Sequence, residues 1–419
     1  LLVYAGCAEP VTMESERENE ESGTGYRDPE PFSFSAQGLD LTFYVSGKDR
    51  LEALLGLIAS ARHSLKLCFY IFANDACGGL VRDRLAEAAE RGVAVTLIVD
   101  DFGSSADDIF LAPLIRVGGR VQRFSVRWNA RYLIRNHQKM LIVDDEVAMI
   151  GGFNIEQSYF DPPEKNGWND LGVRVAGPAV ARLTDWFAIL DGWTDGRQVK
   201  LLEARRQVRV WNAGSGTVRW LVGGPSQRLS PWARTVVTDI ERARRLDLMV
   251  AYFSPRRGIV RRISRVAKLG QARLLLGAKS DNAATIGAAR ANYGRLLSRG
   301  TEIHEFEPCK LHAKLIVVDD AVYIGSANFD MRSLYLNLEL MLRIEDAALA
   351  DRMRAFIDGH LPYSTEVTPE LHRSRRTWWN RIRWTVSWFL VTVVDYSVTR
   401  RLNLGLDSGV GSRSDDDAQ

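Results

Sequence analysis

Two short strings in this 419-residue chain carry the same polar groups in the same order: "HQKMLIVDD" beginning at His137 and "HAKLIVVDD" beginning at His312. Each reads H-x-K-x-x-x-x-D, so His137, Lys139 and Asp144 recur as His312, Lys314 and Asp319. A lone histidine in an apolar run is ordinarily a satisfied core residue. Three residue types repeated at one spacing, 175 positions apart, make that reading a poor account of both strings. Two imidazoles can divide nucleophilic attack and general acid–base work between them. Lysines beside them supply fixed positive charge where a phosphoryl group concentrates negative charge in its transition state. Each string is followed by Gly-Gly or Gly-Ser and an asparagine, which adds Asn154, Ser326 and Asn328 as candidate donors to phosphate oxygens. The set suits a phosphodiester: one neutral histidine attacks phosphorus, and the other protonates the departing alcohol and then activates the incoming alcohol or water. The lysines would repel a cation, so neither a metal nor a cofactor is called for. No G-x-x-x-x-G-K-[ST] phosphate loop occurs.

Side chains alternate faces along a strand, so His137 and Lys139 are expected on one face, as are His312 and Lys314. Asp144 and Asp319 lie an odd seven positions from their histidines and are expected to brace strand ends, although they travel with the catalytic motif. A working histidine needs a partner on its second ring nitrogen. Asp170, 33 residues beyond His137, and Glu339, 27 beyond His312, stand in apolar strand-like surroundings where an unpaired carboxylate is costly, and are expected to hold the histidines. Two departures from internal symmetry stand out. Gly152 occupies the place of Ser326, and five residues separate Asp319 from Gly325 against six between Asp144 and Gly151, which predicts a displaced loop at Asn328.

The elements that must position these groups also repeat. "LEALLGLIASARHSLK", "LCFYIF", "GGLVRDRLAEAAERG" and "VAVTLIVDD" read as helix, strand, helix and strand; "RTVVTDIERARR", "LDLMVAYF", "RGIVRRISRVAKLG" and "QARLLLGAKSD" repeat that order. Alternation of this kind predicts an α/β fold of two lobes, each a mixed sheet flanked by helices, with one active site at a pseudo-two-fold interface. The expected divisions are an acidic, disordered segment at 1–38, a first lobe at 39–205, a second at 206–365, a basic tryptophan-rich segment at 366–405, and a disordered tail at 406–419.

The net charge of +3, from 55 basic and 52 acidic residues, argues against a chain built to coat nucleic acid. Cys7, Cys68, Cys77 and Cys309 show no C-x-x-C spacing and read as buried free thiols. "LLVYAGC" leaves open a leader ending at a lipid-modified Cys7, a pattern that Tyr4 fits poorly. No window supplies the roughly 18 apolar residues of a spanning helix. Between Leu371 and Asn403, however, seven arginines stand against one acid, Asp395, beside Trp378, Trp379, Trp384 and Trp388. That composition suits a helix lying in the headgroup region of an anionic bilayer, or else one docked on the protein's own core.

The paired strings resemble the signature motifs of the phospholipase D superfamily, and the likeness runs from about residue 40 to about 360. "YIFANDACGGLVRDRLAEAAERGVAVTLIVDDFGS", "GGFNI", "GWNDLGVRVAGPAV", "AYFSP" and "LHAKLIVVDDAVYIGSANFDMRSL" are similar to stretches of bacterial cardiolipin synthases. The resemblance implies a duplicated phospholipase D-like fold and a covalent phosphohistidine, without saying which histidine attacks. It implies transfer of a phosphatidyl group onto phosphatidylglycerol by a peripheral enzyme, expected on the cytoplasmic face of a bacterial inner membrane and held to anionic lipid through 371–403. The rivals are a phospholipase D releasing phosphatidic acid and, further off, a metal-independent nuclease; a nucleic-acid partner is not expected.

Overall fold

The computed structural model describes residues 25–125, 134–194, 201–211, 215–226 and 228–394. The calls on residues 1–24 with Cys7, and on the tail from Asp395 onward, lie outside the described residues. The first lobe runs β1 (Phe32–Ala36), β2 (Leu39–Tyr44), α1 (Gly47–Ser60), β3 (Ser64–Phe69), α2 (Ala76–Glu90), β4 (Ala94–Asp100), α3 (Ala112–Arg116), β5 (Arg120–Phe124), β6 (Met140–Val143), β7 (Val147–Gly151), β8 (Trp168–Asn169), β9 (Gly172–Ala176) and α4 (Ala179–Thr194). After α5 (Leu201–Trp211) the second lobe runs β10 (Val218–Val222), α6 (Pro231–Arg242), β11 (Arg245–Val250), α7 (Arg257–Leu269), β12 (Gln271–Gly277), α8 (Ala283–Leu297), β13 (Glu302–Phe306), β14 (Lys310–Leu311), β15 (Lys314–Val318), β16 (Ala321–Gly325), α9 (Met331–Tyr335), β17 (Leu340–Glu345), α10 (Ala347–Asp358) and β18 (Ser364–Glu366), before α11 (Pro369–Arg375) and α12 (Trp378–Phe389).

Both lobes form mixed sheets of eight strands, in the orders β1-β2-β9-β7-β6-β3-β4-β5 and β10-β17-β16-β15-β11-β12-β13-β18. The series β9-β7-β6-β3-β4-β5 and β17-β16-β15-β11-β12-β13 correspond strand for strand, with three parallel strands at one side and antiparallel partners at the other. The duplicated α/β fold read from the sequence is therefore present. Helices α1 and α2 cover the outer face of the first sheet, and α6, α7 and α8 that of the second. The inner faces of both sheets share one apolar cluster with α4 and α10, which includes Met140, Ile142, Leu315, Val317, Trp186 and Met353. Burying strand faces from both halves in one core fixes the lobes against each other, and the site sits at the join.

Two expected boundaries need correction. Residues 25–38 are ordered: Tyr26 is buried, and β1 pairs antiparallel with β2 across Gln37 and Gly38, both with left-handed φ, a two-residue hairpin turn. The first sheet thus begins at Phe32 rather than at residue 39. At the other end, residues 364–366 complete the second sheet as β18 beside β13. Helix α12 is docked on α8: Ser387 packs at Gly287, and the buried Trp384 stacks on His372. Its opposite side leaves Trp378, Ile382, Val386 and Phe389 exposed at helical spacing, so the docked and amphipathic readings describe two faces of one helix. Cys68, Cys77 and Cys309 are buried free thiols as expected. Among the described residues, no helix is long and apolar enough to cross a membrane.

Candidate active site

The functional halves of the motifs lie at the entrances of strands rather than within them. Strand β6 begins at Met140, just after Lys139, and β15 begins at Lys314. The backbone leading into each is held by the other lobe. His137 N–H donates to the Leu338 carbonyl at 2.9 Å, and His312 N–H donates to the Asn169 carbonyl at 2.7 Å. Asn136 bridges to Leu338, and β14 pairs with β8 at Leu311 and Asn169. Each histidine is therefore anchored on the residue that precedes an acid of the opposite half.

Those acids meet the histidines across the interface. Glu339 Oε2 lies 3.0 Å from His137 Nδ1, and Asp170 Oδ2 lies 2.6 Å from His312 Nδ1. Sequence spacing had placed each acid after the histidine of its own half; the structure exchanges the partners. Glu339 also accepts from Ser326 Oγ at 2.5 Å, Ser333 Oγ at 2.8 Å and Asn337 Nδ2 at 3.3 Å. Asp170 accepts the Leu171 amide at 2.7 Å. Burial pushes both carboxyls up, but the facing histidine and lysine charges outweigh it and leave both below the ordinary carboxylate range. They are anionic at neutral pH, and each accepts the Nδ1 proton of its histidine, which leaves Nε2 as the lone-pair nitrogen facing the pocket.

Lys139 Nζ donates to the carbonyl of His137 at 2.8 Å, and Lys314 Nζ to that of His312. Lys314 Nζ also stands 2.6 Å from His312 Nδ1, but that nitrogen's proton is committed to Asp170, so the ammonium serves the carbonyl instead. Burial of the charged form lowers all four groups, to about 4 for His137, about 3 for His312, about 7 for Lys139 and about 8 for Lys314. Crowding of like charge adds to this. The resting pocket holds two neutral imidazoles and two poised ammonium groups. An entering phosphate anion offsets the lysine charge and so favours a proton on an imidazole beside it.

The two histidines are not equivalent. The His137 side chain is 13% exposed and His312 only 4%. Among the described residues, His137 has one ring beside it, Tyr70 at 5.0 Å, whereas His312 is boxed by Tyr159 at 5.0 Å, Trp168 at 4.9 Å and Tyr252 at 6.4 Å. The Tyr159 hydroxyl stands 3.4 Å from His312 Nε2. Sequence reading missed these rings, and also Arg50. Its fully buried guanidinium donates to the carbonyls of Asp170 and Tyr159 at 2.6 Å and of Trp168 at 3.0 Å, tying together the loop that carries Asp170. The available signal was position: Arg50 falls in the i, i+4 row of Leu54 and Ile58, the buried face of α1.

Other expected residues fall as follows. Asn154 Oδ1 accepts the Ile71 amide at 3.1 Å, which aims its NH2 away from that loop, while Asn328 Oδ1 is buried without a hydrogen-bond partner. Ser326 belongs elsewhere than on phosphate: its hydroxyl donates to Glu339 and accepts the Leu340 amide at 3.0 Å, so its proton is spent on the acid. Asp144 and Asp319 lie at the far ends of β6 and β15. Asp144 accepts the amides of Arg62, His63 and Ser64 at 2.7 to 2.9 Å, and Asp319 those of Arg244 and Arg245 at 3.0 and 2.8 Å. This placement fits the bracing role and sets both aspartates apart from the reacting groups. The predicted displacement at Asn328 is absent. The extra residue is absorbed in the β6–β7 turn, so Met140 faces Ile150 as Leu315 faces Ile324, and the following bridges, Phe72 to Ile155 and Phe253 to Phe329, match.

Comparison with known proteins agrees with this arrangement. Residues 54–190 and 236–361 match the family model described as cardiolipin synthase, PLD-like domain. Cardiolipin synthases of Oceanobacillus iheyensis and Listeria monocytogenes are each 29% identical, over 81% and 82% of this chain and 71% and 73% of their own. Phosphatidylserine synthase from Haemophilus influenzae superposes with a TM-score of 0.64 at 13% identity, covering 92% of this chain and 99% of its own. Polyphosphate kinase from Porphyromonas gingivalis gives 0.56 at 15% identity, over 88% of this chain and 53% of that one. At those identities the two structures speak for the fold, and the sequence matches speak for the family. The chain belongs to the phospholipase D superfamily, as a phosphatidyltransferase of its cardiolipin synthase-like branch.

Proposed function

We propose that this protein moves a phosphatidyl group from one glycerophospholipid to the free glycerol hydroxyl of phosphatidylglycerol, yielding cardiolipin, through a covalent phosphohistidine. The observation that carries this reading is the pair of cross-lobe histidine–carboxylate contacts with a lysine beside each. His137, the more open and the less encased, attacks phosphorus through Nε2; as the P–N bond forms, the P–O bond to the departing alcohol breaks. The phosphate charge raises His312, which takes up a proton from solvent at Nε2 as the substrate binds and delivers it to the leaving oxygen. His312 then takes the proton of the incoming hydroxyl as that oxygen attacks phosphorus and the P–N bond breaks. Lys139 and Lys314 hold the non-bridging oxygens with protons not used on the backbone, and Asn154 and Asn328 add amide donors. Hydrolysis differs only in the acceptor, and the ring box around His312 favours a lipid hydroxyl over water by limiting solvent.

Access to lipid is supplied by α12. Its exposed Trp378, Ile382, Val386 and Phe389 form an apolar stripe flanked by Arg381 and Arg383, a pattern that fits the interface of an anionic bilayer and a peripheral location. The test is to incubate the chain with phosphatidylglycerol vesicles and follow products by mass spectrometry. Cardiolipin and glycerol should appear, and His137→Ala and His312→Ala should each lower the rate by roughly 10³ or more. Phosphatidic acid as the sole product would make the enzyme a hydrolase, and unchanged phosphatidylglycerol would refute the reading. Ile382→Ser with Val386→Ser should reduce flotation with anionic vesicles; unchanged flotation would remove α12 from lipid binding.

A further inference from the structure

On the outer face of the second lobe, α7 and α8 enclose a groove of about 370 Å³. Such a volume lies within the roughly 300–1,000 Å³ range of small-molecule sites. Its walls are Arg261, Arg265 and Lys268 from α7, with Arg295 and Arg299 from α8 and the turn after it, and Ser264 at its base. Among the described residues, Leu269 is its one apolar residue and no carboxylate lines it.

Neither helix contains a single acid, although exposed helices usually offset arginines with glutamates at i, i+4. Arg262 pairs with Glu241 and Arg290 with Glu305, but both point out of the groove. Favourable interaction with helix C-termini accounts for Lys268 and Arg295. It does not account for Arg261, two turns further back; Arg265, one turn back, donates one N–H to the Glu241 carbonyl at the end of α6 and has others to offer the groove. Five like charges around one hollow repel each other unless an anion joins them.

Ser264 is the second, independent observation. It is only 5% exposed, and its Oγ has no hydrogen-bond partner. A serine within a helix ordinarily returns its hydroxyl to the carbonyl four residues earlier, and a buried hydroxyl left unpaired is costly. Ser264 is among the residues that line the cationic hollow, where a rotation of its hydroxyl toward an anionic oxygen would satisfy it.

The groove lies away from the catalytic pocket. Its residues cluster toward the C-terminal ends of α7 and α8, which lead into the starts of β12 and β13, whereas Tyr252, beside His312, follows the opposite end of β11. We propose that this groove is a second phosphate-binding site, taking one phosphate group, free or borne on a lipid headgroup, between the five cations and the Ser264 hydroxyl.

The experiment measures binding of inorganic phosphate and of glycerol phosphate by calorimetry, and of phosphatidylcholine vesicles with and without phosphatidic acid by flotation. Three proteins are compared: wild type, Arg265→Gln/Arg299→Gln and Ser264→Ala. The double variant should lose one of two soluble-ligand sites, and Ser264→Ala, which leaves net charge unchanged, should weaken that same site at least fivefold. Binding of the soluble anions identifies a free-phosphate site; loss confined to phosphatidic acid vesicles identifies a lipid headgroup site. Equal stoichiometry and affinity in all three proteins would overturn the proposal. So would a loss in the double variant with Ser264→Ala unchanged, since that is the mark of diffuse electrostatics. Circular dichroism and the melting temperature establish that the variants are folded.

Discussion

Gly152→Ala tests the positioning of His312 without removing a polar group. A Cβ at position 152 would lie 2.6 Å from Asp170 Oδ1, 2.9 Å from its Oδ2 and 2.8 Å from Lys314 Cδ. Restoring ordinary contact requires the carboxylate to retreat by roughly 0.8 Å. It cannot do so and keep both the 2.6 Å contact with His312 Nδ1 and the 2.7 Å contact with the Leu171 amide. His312 then loses its orientation and part of the charge that favours its protonated form. A displacement near 1 Å costs about 10²-fold in rate, or about 3 kcal/mol. Because His312 is assigned to the leaving group, the loss depends on that group. Phosphatidylglycerol, whose alcohol needs a proton, should show the full fall in kcat, while a p-nitrophenyl phosphodiester, whose leaving group needs little help, should fall by less than about tenfold. The assay is steady-state turnover of both substrates in mixed micelles. Unchanged turnover of phosphatidylglycerol would refute the role of Asp170. An equal loss on both substrates would refute the assignment of His312 as the acid, with the melting temperature separating either result from misfolding.

Three further outcomes follow from the same geometry. His312 must carry a proton to release the alcohol and the lysines must be protonated to hold phosphate, so kcat/KM should fall with rising pH and fall more steeply through about 7 to 8; a flat profile from pH 5 to 9 would contradict both roles. Asp144→Ala removes an acceptor shared by three amides and should lower stability by about 1–2 kcal/mol in denaturant titrations, with kcat per folded molecule changed less than about threefold. His360, pushed down to about 4 by burial, stays neutral in the fold while the unfolded chain takes a proton near pH 6.5; its contribution to stability is whole above 6.5 and lost as pH falls toward 4, by about 3 kcal/mol. His360→Gln should flatten that slope in thermal unfolding measured from pH 7 to 4, and an unaltered slope would exclude the histidine as its source.

What was legible in the sequence was whatever a period or a repeat encodes. The doubled H-x-K string, the alternating strands and helices, and the two carboxylates that serve the imidazoles all follow from residue type and spacing. The exchange of Asp170 and Glu339 between halves does not, because spacing orders residues along a chain and says nothing of which lobe they face. Ser326 was misplaced for a related reason: a hydroxyl near phosphate-binding groups is a fair donor until a carboxylate is seen 2.5 Å from it. The β1–β2 hairpin had a signal, Gln37-Gly38 between alternating residues, that the acidic run ahead of it obscured. Arg50 could be found from its helical row as buried, but not as the clasp on three carbonyls.

Exchange of partners also explains why the duplication is asymmetric in detail. Each histidine is held at its backbone by the residue before an acid and at Nδ1 by the acid itself, both from the other lobe. A lobe alone would keep a buried carboxylate with no imidazole and an imidazole with no orientation, so neither half is a reduced enzyme. The shorter Asp170 reaches its histidine only because Gly152 leaves room beside it, and the longer Glu339 is fixed by Ser326, Ser333 and Asn337, which take up the freedom of its extra methylene. Acid length and the residue after the glycine that both motifs share, Gly151 and Gly325, are thus one coupled choice in each half. On the proposed mechanism, the tighter, ring-enclosed half holds the imidazole that passes a proton in both directions, and the more open half holds the one that reaches phosphorus.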